Sequence, residues 1–401
     1  MKPTIIVVGS TEIIKLGLIR SFGALGYKII SIHVGGYNNF LMRPIDYHSK
    51  YISAYYFTKA ADLVDLLIEK CKDAVQKPIL LPLNDSMVHI VDQSRLKLSQ
   101  HFIFSNVKQH EGGITKLMNK VVQKKIAAEV GLEVARAWDI PFINGNFVIP
   151  ADIDYPCFVK GVLSYKSKKK YQKKCCNLHE LNNLLNLCKR DSVYELYAEE
   201  YLDIDHEVGI MALSSTTGCV TPALVELLRM GEGATNGVSM LGRVCPMDNH
   251  ADLEKKISSF LKSINYTGIC NFDFIESRGK LYFVEVNFRY ATYGYAIFKS
   301  GVNIPEMIIH SLCNNDIRDY GALRKQSITY FNEKVGLHNV MEGFISYKKY
   351  KEMRDGSNIL MINDSSDPKP NNMMWTLVAS SEIKSIIANT KKIIKSFRQN
   401  K

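Results

Sequence analysis

The chain is short of the patterns that mark most self-contained chemistries. Its nine cysteines form no CxxC pair and join no Cys/His cluster at zinc spacing, which excludes a zinc ribbon or a dithiol redox motif. Cys175 and Cys176 are neighbours and poorly placed to bridge each other, so reduced, mostly structural thiols are expected. None of the ten histidines pairs at metal-ligand spacing, and no Ser/His/Asp or Cys/His arrangement suggests a covalent nucleophile. No apolar run is long enough to span a bilayer, so no membrane partner is expected. Met1-Lys2-Pro3-Thr4 leads directly into Ile5-Ile6-Val7-Val8 without a signal-peptide cleavage pattern, and the expected compartment is the cytoplasm. Gly9-Ser10-Thr11 resembles the start of a phosphate-binding turn but is not GxGxxG, which argues against a dinucleotide site. Internal repeats and long linkers are also missing.

What is present is an ordinary globular composition, 46% hydrophobic and 23% charged over 401 residues, enough for two or three domains with a large core. The net charge of +11 suits a polyanionic partner, and part of it is concentrated in Tyr165-Lys166-Ser167-Lys168-Lys169-Lys170-Tyr171-Gln172-Lys173-Lys174. A nucleic-acid-binding protein is therefore one alternative, supported by Lys384, Lys391, Lys392, Lys395 and Arg398 on a basic helix over Glu382–Phe397. Stacking motifs and a helix-turn-helix are lacking, so nucleic acid is not the expected partner.

Strand and helix signals alternate through the first hundred residues: strands at Thr4–Gly9, Lys28–Val34, Ile79–Leu83 and Phe102–Phe104, helices at Glu12–Leu25, Ala60–Val75 and Asp85–Leu98. This predicts a Rossmann-like α/β domain with a parallel sheet over residues 1–114. Asn84-Asp85 lies where open parallel sheets bind ligands, although helix capping by Asp85 is the simpler reading. From about Thr115 the pattern becomes α+β: helices at Lys116–Val130, Leu178–Leu187, Ala251–Leu261 and Asn303–Leu312, strands at Val134–Trp138, Cys157–Val162, Val193–Tyr197, Val208–Ser214 and Thr221–Leu227. Residues 328–401 read as a small C-terminal module with a loop-like Asp364–Asn372.

The most informative segment is Asn271–Arg289. Along a strand side chains alternate faces, so Asn271 and Asp273 share one face and Glu285, Asn287 and Arg289 share another, with Val284 and Val286 opposite. A three-residue loop, Ser277-Arg278-Gly279, would pair Asp273 with Phe283 and Asn271 with Glu285 and bring Asp273, Glu285 and Asn287 to one face. A two-residue or four-residue loop would separate them. Two carboxylates and an amide oxygen suit Mg²⁺, although a simply wet hairpin face has the same pattern.

Three other segments carry charge in informative places. Lys160 ends the apolar run Phe158-Val159-Lys160 just before the basic loop, where lysines act as point charges towards phosphates. Glu199-Glu200-Tyr201-Leu202 follows a strand, with Glu207 five residues beyond. Three glycines within 231–237 mark a demanding connection, either part of a site or an ordinary long hairpin loop.

In this order the motifs resemble the ATP-grasp superfamily of carboxylate–amine ligases, over roughly Lys116–Leu312. The resemblance implies an ATP-grasp domain at 115–327, divided into a lid (115–192) and a catalytic part (193–327). It implies phosphate-holding roles for Lys120 and Lys160, with Lys116 and Lys124 competing for the first. Glu199, Glu200, Tyr201 and Leu202 would form the adenine hinge, Glu207 would meet the ribose, Asp273, Glu285 and Asn287 would ligate Mg²⁺, and Arg289 would be catalytic. ATP and Mg²⁺ would be required, and the product would be an amide made through an acyl phosphate, with an amino acid among the small carboxylate and amine substrates. A carboxylase or carbamoyl-phosphate type of ATP-grasp enzyme is the alternative within the superfamily; no biotin-attachment domain or second ATP-grasp copy is evident. The basic loop departs from the glycine-rich loop of many members. The oligomeric state is open, with a homodimer as one option.

Overall fold

The computed structural model describes residues 2–35, 43–72, 74–163, 165–166, 169–313, 315–317 and 326–376. Ile5-Ile6-Val7-Val8 is apolar at every position because both faces of its strand are covered. It forms β1 (Ile5–Val8), followed by α1 (Glu12–Ala24), β2 (Ile29–Val34), β3 (Ile52–Thr58), α2 (Leu63–Cys71), β4 (Ile79–Pro82) and α3 (Asp85–Gln93). The four strands pair in parallel in the order β3-β2-β1-β4. Ile6 and Val8 pack with Leu63, Leu67, Met87 and Val91 of α2 and α3, whereas Ile5 and Val7 face Leu18, Ile19 and Phe22 of α1. Strand β3 escaped the sequence reading because it is an edge strand with no fully buried face, so its pattern shows no apolar alternation. Phe102–Phe104 is buried but makes only a bridge, Ile79 to Ile103. The helix expected over Asp85–Leu98 is two, α3 and α4 (Arg95–Leu98), divided at Ser94.

β5 (Asn106–Val107), α5 (Gly113–Leu117) and α6 (Lys120–Glu129) follow. The single helix expected over Lys116–Val130 is broken because Asn119 takes an N-cap: its side chain accepts from the N–H of Val121 (2.9 Å) and Val122 (3.2 Å). Lys120 thereby becomes the first residue of α6. Next come β6 (Glu133–Val134), β7 (Ala137–Ile140), β8 (Phe142–Ile143), β9 (Asn146–Phe147), β10 (Cys157–Gly161), β11 (Lys173–Cys175), α7 (Leu178–Arg190) and β12 (Leu196–Glu200). An antiparallel sheet in the order β11-β10-β12-β7 carries α7 on the face of Cys157, Val159 and Ala198. The strand expected at Val193–Tyr197 begins three residues later. Residues 191–195 are used to leave α7, with Ser192 at φ 57° and the Val193 N–H bonded to the Cys188 carbonyl. Glu199 therefore sits inside β12 and not after it.

The remaining elements are β13 (His206–Ser214), β14 (Cys219–Met230), β15 (Ser239–Cys245), α8 (Ala251–Ser263), β16 (Tyr266–Ser277), β17 (Lys280–Asn287), α9 (Gly294–Lys299), α10 (Ile304–Leu312), β18 (Ile328–Phe331), α11 (Glu333–Met341), α12 (Tyr347–Asp355) and β19 (Ile359–Leu360). The large sheet runs β19-β18-β15-β14-β13-β16-β17-β6, with β5 added to β16. One face, through Val208, Ile210, Phe272 and Phe274, packs on Ile257, Phe260 and Leu261 of α8. The other, through Met211, Leu213, Val225 and Ile269, shares a core with α1, α9, α10 and the parallel sheet. The glycine-rich 231–237 segment is the β14–β15 connection, seated on α11: Asn339 accepts from the Glu232 N–H (3.0 Å) and Glu342 from the Ala234 N–H (3.2 Å). Gly233 has φ +55°, and a Cβ there would collide with the Glu342 carboxylate.

The loop-like Asp364–Asn372 is a fastening. Arg20 of α1, 1% exposed, donates Nε to Asp367 Oδ2 (3.0 Å) and Nη2 to the carbonyls of Ile362 (2.9 Å) and Asp367 (2.8 Å). Asp367 also accepts from Ser49 Oγ (2.8 Å) and the Lys50 N–H (2.9 Å). The expected basic helix Glu382–Phe397 lies outside the described residues. Among the described residues no helix is long and apolar enough to cross a membrane. Removing one partner of a buried ion pair strands the other charge, so Arg20→Ala is expected to cost about 3–5 kcal/mol in chemical denaturation. A loss below about 1 kcal/mol would show that the fastening contributes little.

Candidate active site

The β16–β17 hairpin brings Asp273, Glu285 and Asn287 together, but not by the expected turn. Ser277 pairs with Lys280 across a two-residue loop, Arg278-Gly279, whose φ values of 53° and 72° have the handedness of a type I′ turn. Asp205 Oδ2 accepts the Arg278 N–H (3.0 Å) and helps hold a non-glycine residue in that conformation. Phe274 pairs with Phe283, Asp273 with Glu285 and Asn271 with Asn287, so Val284 is the extra residue of a β-bulge. The short loop would by itself set the two carboxylates on opposite faces; the bulge reverses the parity of β17 and reunites them. It also corrects the expected apolar face: Phe283, not Val284, joins Val286 in the core with Phe272 and Phe274.

The acidic pair is held by amides. Asp273 accepts from Asn271 Nδ2 (2.6 Å) and Asn287 Nδ2 (2.8 Å), and Asn287 Nδ2 reaches 3.5 Å to Glu285 Oε1. Lys120 Nζ lies 2.7 Å from Glu285 Oε2. Burial and then the negative charge of Glu285 push Asp273 up to about 7. Glu285 goes the other way, to about 2, because Lys120 outweighs burial. Burial lowers the Lys120 ammonium, but Glu285 more than offsets it and the net direction is upward. Among the described residues no three His, Cys, Asp or Glu side chains gather into a metal cluster. The hairpin offers a different, oxygen-only set of two cross-strand carboxylates and a carboxamide, with one carboxyl already raised by burial and then by its negative neighbour. Such a set fits a hard divalent cation.

A second cluster lies on the β11-β10-β12-β7 sheet. Glu199, 7% exposed, is gripped by Lys160 of β10 and by Lys124 of α6, the latter at 2.9 Å. Burial would raise Glu199, but the two ammonium groups outweigh it and hold the carboxyl below its usual range; burial lowers Lys160. Of the three lysines competing on α5 and α6, Lys116 is exposed, Lys120 meets the hairpin and Lys124 meets Glu199 of β12. The signal for Lys124 is its spacing: four residues from Lys120, on the same helical face. Glu199 is thus an internal anchor for lysines. Glu199 and Lys160 also line a cleft of about 280 Å³, together with Glu200, Tyr201, Leu202 and Glu207. Burial alone raises Glu207. Larger cavities lie under Tyr171 and Tyr194 (about 430 Å³) and at the Lys2–Lys28 edge of the parallel sheet (about 710 Å³), but neither touches the hairpin or Lys160.

Arg289 points to the N-terminal sheet: its Nε donates to Asp85 Oδ1 at 2.7 Å. Asp85 is not the cap of α3, as the sequence suggested; Asn84 is, accepting from the Met87 N–H (2.9 Å). Tyr293 and Asn271 escaped the sequence reading as site residues, Asp85 was read there as a helix cap, and Lys124 entered it only as a competitor for the place of Lys120. Tyr293 donates its hydroxyl to Asn271 Oδ1 and occupies the space left by Gly209, the residue paired with Asp273 on β13.

No family model matches the chain. Over 145 residues, 34% of this chain, it is 29% identical to the carbamoyl phosphate synthase large chain of Clostridium perfringens, of which it spans 13%. Solved structures match over far more of its length. The biotin carboxylase domain of Hydrogenobacter thermophilus 2-oxoglutarate carboxylase, in complex with MgADP, ADP and bicarbonate, superposes with a TM-score of 0.63 at 16% identity, covering 82% of this chain and 74% of that one. The Staphylococcus aureus N5-carboxyaminoimidazole synthetase complexed with ADP gives 0.61 at 17%, covering 86% of each. The Bacillus licheniformis L-amino acid ligase gives 0.60 at 13%, covering 82% and 80%. The chain has the ATP-grasp fold.

The close packing beneath Asp273 is testable by substitution. A methyl at Gly209 would meet the Tyr293 hydroxyl and ring. Gly209→Ala is expected to cost about 1–3 kcal/mol in thermal or chemical unfolding. Adding Tyr293→Phe, which removes the hydroxyl, should restore part of that loss; equal melting of Gly209→Ala and wild type would refute the packing argument.

Proposed function

We propose that the protein is an ATP- and Mg²⁺-dependent carboxylate–amine ligase that forms an amide through an acyl phosphate, with an amino acid as one substrate. The observation that carries this reading is the meeting of Lys120 with Glu285 beside Asp273, while Lys124 and Lys160 share Glu199 on the lid. Cationic groups from two elements converge on an acidic, oxygen-lined hairpin, as transfer of a phosphoryl group requires. The fold supports it.

The residues divide the work by chemistry. Glu200, Tyr201 and Leu202 line the cleft for the base, and Glu207 accepts from the sugar hydroxyls. Lys120 and Lys160 hold phosphate oxygens, and Glu199 keeps Lys160 directed into the cleft. Asp273, Glu285 and Asn287 would hold Mg²⁺, which when bound neutralises phosphate charge. A substrate carboxylate oxygen attacks the γ-phosphorus and ADP leaves. The amine then attacks the acyl carbon, phosphate leaves and the amine loses a proton. Arg289 stabilises negative charge on the transferred group or on the tetrahedral intermediate. A second reading replaces the organic acid with bicarbonate; the partial similarity to the carbamoyl phosphate synthase large chain favours it.

The test is an ADP-release screen across amino acids, small carboxylates and bicarbonate. Asp273→Asn and Glu285→Gln are expected to lower turnover about 100-fold or more, and chelation of divalent cations should abolish it. Turnover in both variants equal to wild type would reject the site assignment. Stimulation by bicarbonate without any amino acid would select the second reading.

A further inference from the structure

The parallel sheet contributes one charged group to the hairpin site. Asp85 is the first residue of α3, immediately beyond the C-terminal end of β4. Because Asn84 supplies the cap, the Asp85 carboxylate is not spent on its own helix. It takes Arg289 Nε at 2.7 Å, the shortest of the three contacts made by that guanidinium; Nη2 reaches Asn287 Oδ1 at 3.3 Å and Nη1 the Tyr290 carbonyl at 3.5 Å. Asp85 and Arg289 side chains are 19% and 21% exposed, so the pair is half-buried and not sealed in the core. One turn further along α3, His89 stacks on Tyr165 at the start of the lid loop, with ring centres 4.2 Å apart and planes 12° from parallel. The same helix therefore touches the arginine at its first turn and the lid at its second.

We propose that Asp85 is the positioning residue of Arg289, orienting the guanidinium towards the reacting group from a separate sheet; this rests on the ligase reading above. Asp85 touches no reacting atom. Its carboxylate fixes the Nε edge and leaves the Nη groups to face Asn287 and the substrate side. An isosteric amide keeps the shape and removes the charge that holds the arginine.

The experiment uses the full chain, comparing wild type, Asp85→Asn, Arg289→Lys and the double variant by ADP release, MgADP calorimetry and thermal melting. Asp85→Asn is expected to lower kcat roughly 10- to 100-fold, as a misplaced catalytic group does, while KM for ATP and MgADP affinity stay within about threefold. The double variant should be no slower than the slower single variant by more than about threefold, because the two residues act as a unit. A kcat for Asp85→Asn within about threefold of wild type, or losses that multiply in the double variant, overturns the proposal. Should Asp85→Asn fail to fold, Asp85→Glu decides: reduced kcat with MgADP affinity retained supports positioning, and wild-type kcat overturns it. A wild type that neither binds MgADP nor releases ADP removes the ligase reading, and this proposal with it. An active wild type with an equally active Asp85→Asn removes the positioning role alone.

Discussion

Two half-buried carboxylates set side by side must be balanced by positive charge, and much of this molecule is arranged around that demand. Asp273 and Glu285 face each other across β16 and β17. Lys120 compensates one of them directly, and Arg289 adds its field to both. The residual imbalance remains on Asp273, whose carboxyl is pushed upward by burial and by Glu285. Both cations depend on capping. Asn119 breaks a helix so that Lys120 opens a new one, and Asn84 caps α3 so that Asp85 is left to hold Arg289. Two asparagines that would pass for ordinary caps therefore place the charges of the site.

The same face of the large sheet changes character along its length. At Leu213, Met211 and Ile269 it is core shared with the parallel sheet; at Asn271, Asp273 and Gly209 it becomes polar. Gly209 marks the transition, because the Tyr293 ring fills the volume a side chain would take there and its hydroxyl ends the apolar region on Asn271. The hydrogen-bonded series Tyr293, Asn271, Asp273 then runs from the packed interior to the acidic pair. A carboxylate fixed in this way loses little additional freedom when a cation or a phosphate arrives, the physical meaning of preorganisation.

The alternation of polar and apolar residues in 271–289 was enough to single out Asp273, Glu285 and Asn287, because side-chain period is a local property. Their register was not legible. The expected three-residue loop has the parity needed to join them; the actual two-residue loop has the wrong parity, and the bulge at Val284 restores it. Nothing in Phe283-Val284-Glu285 distinguishes the bulged residue, and positive φ at Arg278 has no glycine or asparagine to announce it. The parallel sheet was readable from its doubly buried strands, but the half-exposed edge strand β3 was not. Asp85 was noticed at the end of a strand and assigned to its helix; its contact with Arg289 spans 204 residues, beyond the reach of local pattern.

The basic loop shows why charge content alone misleads. The sequence places six lysines within 166–174 and no glycine there, which invites the idea that ammonium groups replace backbone donors around phosphates. Yet Lys166 lies 3.4 Å from Glu195, Lys170 2.8 Å from Asp191, and Lys174 3.7 Å from the centre of the Tyr201 ring. The first two are exposed pairs of modest worth, easily exchanged for a polyanion. Lys174 is different, because its cation–π contact ties β11 to Tyr201, which lines the cleft beside Glu199. The buried lysines 120, 124 and 160 cannot be exchanged so cheaply, since Lys120 neutralises the half-buried Glu285 and the other two share the buried Glu199. The charge of Lys166 and Lys170 is thus peripheral, and the few lysines with acidic partners in the interior set a fixed electrostatic frame.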